Sequence, residues 1–384
     1  MKNREFWTKH RDVLLLTILL AAFVGGIFGV GGLFDMNGSK LRTVILPEAQ
    51  FSSRLAPPPN STVQIEAAIK LPNDFAIYDF EVADQNTLIL NRPENSYTGI
   101  KTSMLKLDDN HVRDLATNTD YGVVLSPDRK KMIFSEYRSP QAQQTTYEYD
   151  MKSGQRRKLA DDNSFYREYI GNDAYIGHDN LVFKMIDLHS DKKRLIYSDE
   201  EIIKLVAKEN HIRNPDDVWI LFNIEFSRDL QYFYTLVGWN NTTMVYRFPV
   251  NGRNNPVACT PAEAIQQFRV LKNGDILVQG TVNKVPGLFI YQAASKRFDL
   301  LMKGNIWSFD LNEDESRIAY FKALENQKNE LHMAYLDGDK LLSDTVVYRN
   351  IDNFVNLKWN GDNLFVVSSS MEKSEIYRFT FRAW

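Results

Sequence analysis

Beyond residue 62 the chain alternates hydrophobic and polar positions in short runs, each ended by a cluster of turn residues. A period of two puts successive side chains on opposite faces of an extended strand, so the pattern predicts strands almost to the last residue. Residues 123–137 (VVLSPDRKKMIFSEY) read as a strand, a tight Ser126-Pro127-Asp128 turn and a second strand. Residues 145–151 and 155–160 supply a third and a fourth. Related units recur at 224–237, 270–279, 309–321 and 357–368, about 40–50 residues apart. That spacing is the repeat length of a four-stranded propeller blade.

The predicted fold is therefore all-β: a β-propeller over 62–384, most simply with seven four-stranded blades, six or eight being the alternatives. The blades fall at 75–116, 117–160, 163–198, 218–260, 262–303, 305–349 and 350–384. The last holds only three strands, at 355–359, 363–368 and 375–381. An open sheet edge is normally covered, and 63–69 (VQIEAAI) is placed to supply the missing outer strand and lock the ring. One helix interrupts the alternation. Residues 198–210 open with Ser198 and carry Glu201 three positions on, a capping box, with Ile202, Leu205 and Val206 on one face. Residues 260–263, with Pro261 at the first helical position, predict one further helical turn.

The N-terminal part follows another rule. Residues 13–34 are 22 residues without a charge, long enough to cross the ~30 Å hydrocarbon layer as a helix. A cleaved signal has a shorter apolar core, so an uncleaved anchor is expected. Lys2, Arg4, Lys9 and Arg11 precede it, which favours a short cytoplasmic tail at 1–12 and an extracytoplasmic propeller. Ala21, Gly25 and Gly29 recur every four residues, a spacing that allows two such helices to pack as a homodimer. Residues 35–61 read as an extended tether ending in Pro57-Pro58-Pro59.

Composition narrows the function classes. The formal net charge of −3 supplies no basic excess to neutralise phosphates, so nucleic acid is not an expected partner. Cys259 is the only cysteine, which excludes an intrachain disulfide, and it follows Val257-Ala258 as an inert thiol. No Gly-x-Ser-x-Gly elbow occurs. The six histidines (His10, His111, His178, His189, His211 and His332) show no metal-ligand spacing. No catalytic residue, metal or cofactor is predicted. Asp128, Asp229 and Asp314 stand in turns where a carboxylate fastens the backbone.

The turn at Ser126-Pro127-Asp128, followed by 130–134, 147–150 and 157–159, resembles the WD-like repeat of TolB-type propellers. Ser227-Arg228-Asp229 and Asn312-Glu313-Asp314 look like degenerate copies. The resemblance implies a disc of radial sheets that binds proteins or peptides across its faces or channel. Related propellers also gate serine peptidases, but no hydrolase domain is expected beside the propeller here. The candidate binding residues are those of the loops joining second to third strands: Arg92, Tyr97, Arg138, Trp239, Asn240 and Lys284. An exposed Trp or Arg there suits a protein-binding hot spot. The expected function is a membrane-anchored, non-enzymatic protein- or peptide-binding module of the cell envelope. The alternatives are a propeller enzyme (lactonase, lyase or glycan hydrolase) and an envelope-polymer or small-ligand receptor.

Overall fold

The computed structural model describes residues 63–382, apart from 72, 95–98, 121, 138–143, 160–161, 180, 222, 253–254, 325–327, 352–353 and 370–372. The anchor at 13–34 with Ala21, Gly25 and Gly29, the tail and the tether lie outside the described residues. Among the described residues no helix is long and apolar enough to cross a membrane.

The strands form seven antiparallel sheets arranged as the blades of a propeller. Each chain segment runs from an inner strand outward through a second, third and outer strand. The inner strands are Asp79–Asp84, Val124–Leu125, Tyr166–Ile170, the interrupted pair Trp219–Ile220 and Glu225–Phe226, Ala264–Val270, Ile306–Leu311 and Phe354–Asn360. The last blade is completed by the N-terminal strand Ile65–Leu71, which pairs antiparallel with Ser374–Phe381, Ala68 opposite Phe379 and Leu71 opposite Ile376. The ring closure expected from the three-stranded final blade is present.

Middle strands are buried on both faces, so they read as continuous apolar runs. In Leu88-Ile89-Leu90 the pleat sends Leu88 and Leu90 toward the last blade and Ile89 toward the second. Seven hydrophobic clusters result, one at each interface between neighbouring blades. The stability of the ring is thus spread around it.

The turns between inner and second strands are fastened by side chains. Ser126 Oγ donates to Asp128 Oδ1 (2.8 Å) and accepts from Lys131 N (3.0 Å). Ser227 and Asp229 repeat the arrangement, with Ser227 Oγ donating to Asp229 Oδ1 (2.6 Å) and accepting from Tyr232 N (3.0 Å). The Ser227 hydroxyl holds the Asp229 carboxyl below its usual range, and the Ser316 hydroxyl does the same for Asp314. The aspartates are the predicted fasteners.

The helix Asp199–Glu209 forms with its capping box intact, inserted between the third and fourth blades. Its buried face is Ile202, Val206 and Ala207, packed into the cluster those blades share. Residues 260–263 do not make the predicted helical turn. Thr260 Oγ1 accepts from Val245 N (3.1 Å), and Glu263 bridges to Thr243, so the sheet takes up these residues first. A short 3-10 helix forms instead at Pro215–Asp217, capped by the Asn214 side chain.

Candidate functional site

The inner strands surround an axial channel of about 710 Å³. Positions near the turn end of each inner strand project one side chain per blade into it. In blade order these are Glu81, Val124, Glu168, Glu225, Arg269, Asp310 and Lys358. Their register is similar: each lies opposite a second-strand residue one or two pairs in from the turn, one in Glu225–Tyr234 and Asp310–Ala319 and two in Glu81–Ile89 and Lys358–Phe365. Six of seven blades therefore place a charge at one level of the channel. The neighbouring level is polar, with Asp79, Asn223, Gln267 and Asn356.

The charges pair with their ring neighbours. Lys358 Nζ lies 2.7 Å from Glu81 Oε1, across the junction of the last and first blades. Arg269 sits between Glu225 (2.8 Å) and Asp310 (3.3 Å). Asp310 also accepts from Trp359 N (3.0 Å), and Asp79 accepts from Asn356 Nδ2 (3.2 Å). Glu168 is different. Its neighbours in the ring are Val124, which is apolar, and Glu225, which is engaged by Arg269. Among the described residues its carboxylate has no hydrogen bond and no ion pair.

The electrostatics follow from this arrangement. Burial pushes the Glu168 carboxyl up to about 8, and the negative charges of Glu225 and Glu81 add to the effect. Burial also raises Glu225 and Glu81, outweighing Arg269 and Lys358 respectively. Arg269 is held above its ordinary range chiefly by Glu225. Burial would lower Lys358, but Glu81, Asp310 and Asp79 together raise it. The lumen is therefore a confined, net acidic space, with five carboxyl groups (Asp79 included) against two cations.

The two ends of the channel differ. One carries the Ser-Pro-Asp turns; the other carries the links between blades and the loops joining second to third strands. On this linker face the leading ends of four inner strands present exposed aromatic residues: Tyr78 (43%), Tyr166 (45%), Trp219 (40%) and Trp307 (58%). Leu181, 71% exposed, stands on the same face in the hairpin of the third blade. Trp219 lies over Gly238, where an added Cβ would come within 2.4 Å of its ring.

The described candidate residues taken from loop position share the linker face but not one site. Arg92 is largely tied into its own blade: its Nε donates to Ser103 Oγ (2.8 Å), its guanidinium pairs with Asp114, and it lies 4.6 Å from the Phe75 ring centroid. Burial would raise Asp114, but Arg92, Lys101 and Ser103 together hold it at about 2. Trp239 is partly buried against the cluster of the third and fourth blades. Asn240 and Asn241 (φ 47° and 63°) and Asn283 and Lys284 (φ 50° and 66°) are exposed tips of two-residue hairpins that need left-handed backbone at both positions. Tyr97 and Arg138 lie outside the described residues. Cys259 is pushed up to about 11 by burial, consistent with an inert thiol. Among the described residues no three His, Cys, Asp or Glu side chains converge as metal ligands.

The channel charges were not among those candidates, although the chain carries a signal for them. Phe80-Glu81-Val82, Ile224-Glu225-Phe226, Phe268-Arg269-Val270, Phe309-Asp310-Leu311 and Leu357-Lys358-Trp359 are all a charge between two apolar residues, shortly before a turn.

No protein-family model and no curated protein sequence matches the chain. Solved structures do match, among them three at 11–12% identity. The β-propeller domain of Cps50 (Swd1) from Myceliophteria thermophila aligns over 80% of this chain and 98% of its own, at 11% identity and TM-score 0.54. The β-propeller domain of the Trilobed protease from Pyrococcus furiosus, described as having an open velcro topology, covers 80% and 97% at 12% identity and TM-score 0.55. An oligogalacturonate lyase in complex with manganese covers 84% and 94% at 11% identity and TM-score 0.58. These likenesses establish a β-propeller and nothing finer. The protein is an all-β propeller of seven four-stranded blades.

Proposed function

We propose that this chain is a membrane-tethered, extracytoplasmic propeller of the TolB-like kind that binds a protein or peptide and performs no catalysis. The observation that carries the binding role is the aromatic set on the linker face. Tyr78, Tyr166, Trp219 and Trp307 come from four different blades, yet ring closure brings their strand ends to the same side of the disc. Large exposed aromatic residues grouped on one face mark interaction surfaces, and Trp and Tyr dominate binding hot spots. Exposed Asn240 and Lys284 on the same face supply a polar rim. The apolar segment at 13–34 supports the tether, and its flanking charges support the orientation.

Site-specific photocrosslinking in intact membranes tests the reading. A crosslinker at Trp307 or Trp219 is expected to capture a defined protein, while one at Leu300, exposed on the outer strand of the fifth blade, captures none. Equal or absent labelling at both places would count against a docking face. Protease protection of the propeller in intact cells, lost on permeabilising the outer barrier, would contradict the orientation if it failed to appear.

A further inference from the structure

We propose that the axial channel is a binding site for an aliphatic ammonium ion, whose charge pairs with the Glu168 carboxylate. The site is independent of the aromatic face, so either reading can fail alone.

The inference rests on how the ring fills. Lys358 satisfies Glu81, and Arg269 satisfies Glu225 and Asp310. One position remains where the pattern calls for a cation and the chain provides Val124. Glu168 faces that gap without a partner among the described residues. An unpaired carboxylate in a protein-walled lumen is costly, and a ligand cation would remove the cost.

The chemistry of the gap selects the ligand. A divalent cation needs several converging oxygen ligands, and among the described residues no three His, Cys, Asp or Glu side chains converge. An ammonium group is a compact charge satisfied by one carboxylate and nearby acceptors, and its methylene stem can lie along an apolar wall such as Val124. The cavity, about 710 Å³, accommodates a chain of this size. A lysine side chain from a peptide and a free polyamine carry the same head group.

With its carboxyl raised to about 8, Glu168 without a paired cation is protonated at neutral pH, and a bound ammonium displaces that proton. Charged groups facing Glu168 are Glu81, Glu225, Arg269 and Lys358 from the inner strands around it. The resident cations are already paired, so Glu168 is the group whose ionisation responds. Affinity then rises with pH, up to tenfold per unit below about 8, and levels off above it.

Isothermal titration of the full-length protein with 1,5-diaminopentane between pH 6 and 9 tests this. Saturable binding is expected, with protons released into the buffer, and at least tenfold weaker affinity in Glu168→Gln. Val124→Lys, which supplies a resident ammonium beside Glu168, should block the site even if Glu168→Gln folds poorly. A lysine pentapeptide that binds more tightly than the diamine, and loses binding with norleucine in place of lysine, identifies a peptide as the source. Binding of the diamine alone identifies a free polyamine. Absence of saturable binding, equal affinity in both variants, or preference for an arginine peptide over a lysine one would overturn the proposal.

Discussion

Arg129 and Glu313 pair at 3.0 Å although they belong to the second and sixth blades, which are not neighbours in the ring. Both stand on turns at the rim of the channel, so the ion pair spans its mouth on the turn face. Arg129 holds a left-handed backbone, φ 58°, at the tip of the Ser-Pro-Asp turn. The pair is a bar across an opening, made from residues far apart in sequence.

Because Glu313 is 69% exposed, that bar adds little to stability. Arg129→Ala is expected to leave the melting temperature within about 2 °C of the parent, since exposed pairs contribute about 0–1 kcal/mol. It also removes a positive charge from the mouth of an acidic channel. Association of 1,5-diaminopentane should therefore accelerate several-fold at low salt, an advantage that disappears at high salt; stopped-flow rates at two ionic strengths read both effects.

Glu168 carries a stability signature of its own. Its carboxyl titrates near 8 in the folded chain against 4.5 ordinarily, so between those values the native state holds a proton that the unfolded state has lost. Stability therefore falls as pH rises through that interval. Glu168→Gln abolishes the dependence: near pH 4 the variant and parent should match, and by pH 9 the variant should be more stable by about 2–4 kcal/mol. Denaturant melts across the pH range measure the difference, and a constant offset would contradict the assignment.

Arg167 has no exposed side-chain surface and pairs with Asp120 (2.8 Å) and Asp162 (3.5 Å) between the second and third blades. Arg167→Ala strands two carboxylates in the interior and should cost about 3–5 kcal/mol. Adding Asp162→Asn to that background should recover part of the loss, which urea titration of the double variant checks.

Closure of the ring concentrates another sensitivity. Phe381 is 1% exposed and packs with Trp359 and Val63, joining the two termini of the propeller. Phe381→Ala should cost about 3–5 kcal/mol. Removing the strand Ile65–Leu71 should be worse, leaving the outer edge of Ser374–Phe381 unpaired; light scattering on heating should then report aggregation before unfolding completes.

Much of this architecture was legible in the chain. Alternation and turn chemistry located the blades because they are local rules, and the closing strand followed from counting three strands where four were required. The helix at Asp199–Glu209 was legible for the same reason, its capping box being written within four residues. The helical turn expected at 260–263 was misread because a tertiary bridge from Glu263 to Thr243 overrode a local preference. The interrupted inner strand of the fourth blade also had no local mark.

The channel was hidden for a deeper reason. A charge between two apolar residues, as in Leu357-Lys358-Trp359, looks the same on a solvent-facing strand as on a lumen-facing one. Only ring closure turns that face inward. Glu168 is harder still, since Arg167 beside it breaks the apolar–charge–apolar pattern while serving a separate buried network. Arg92, chosen for its loop position, proved to be occupied by Asp114 and Ser103 for want of any sequence rule linking those distant strands.

The pairing of Ala68 with Phe379 has a consequence for biosynthesis. The strand that seals the wheel is made first but finds its partner only when the final strand leaves the ribosome. Until then it must wait unpaired while the other blades stack, and such long-range closure is slow to form. A chain lacking Ser374–Phe381 has no partner for Ile65–Leu71 and cannot close the ring in this way.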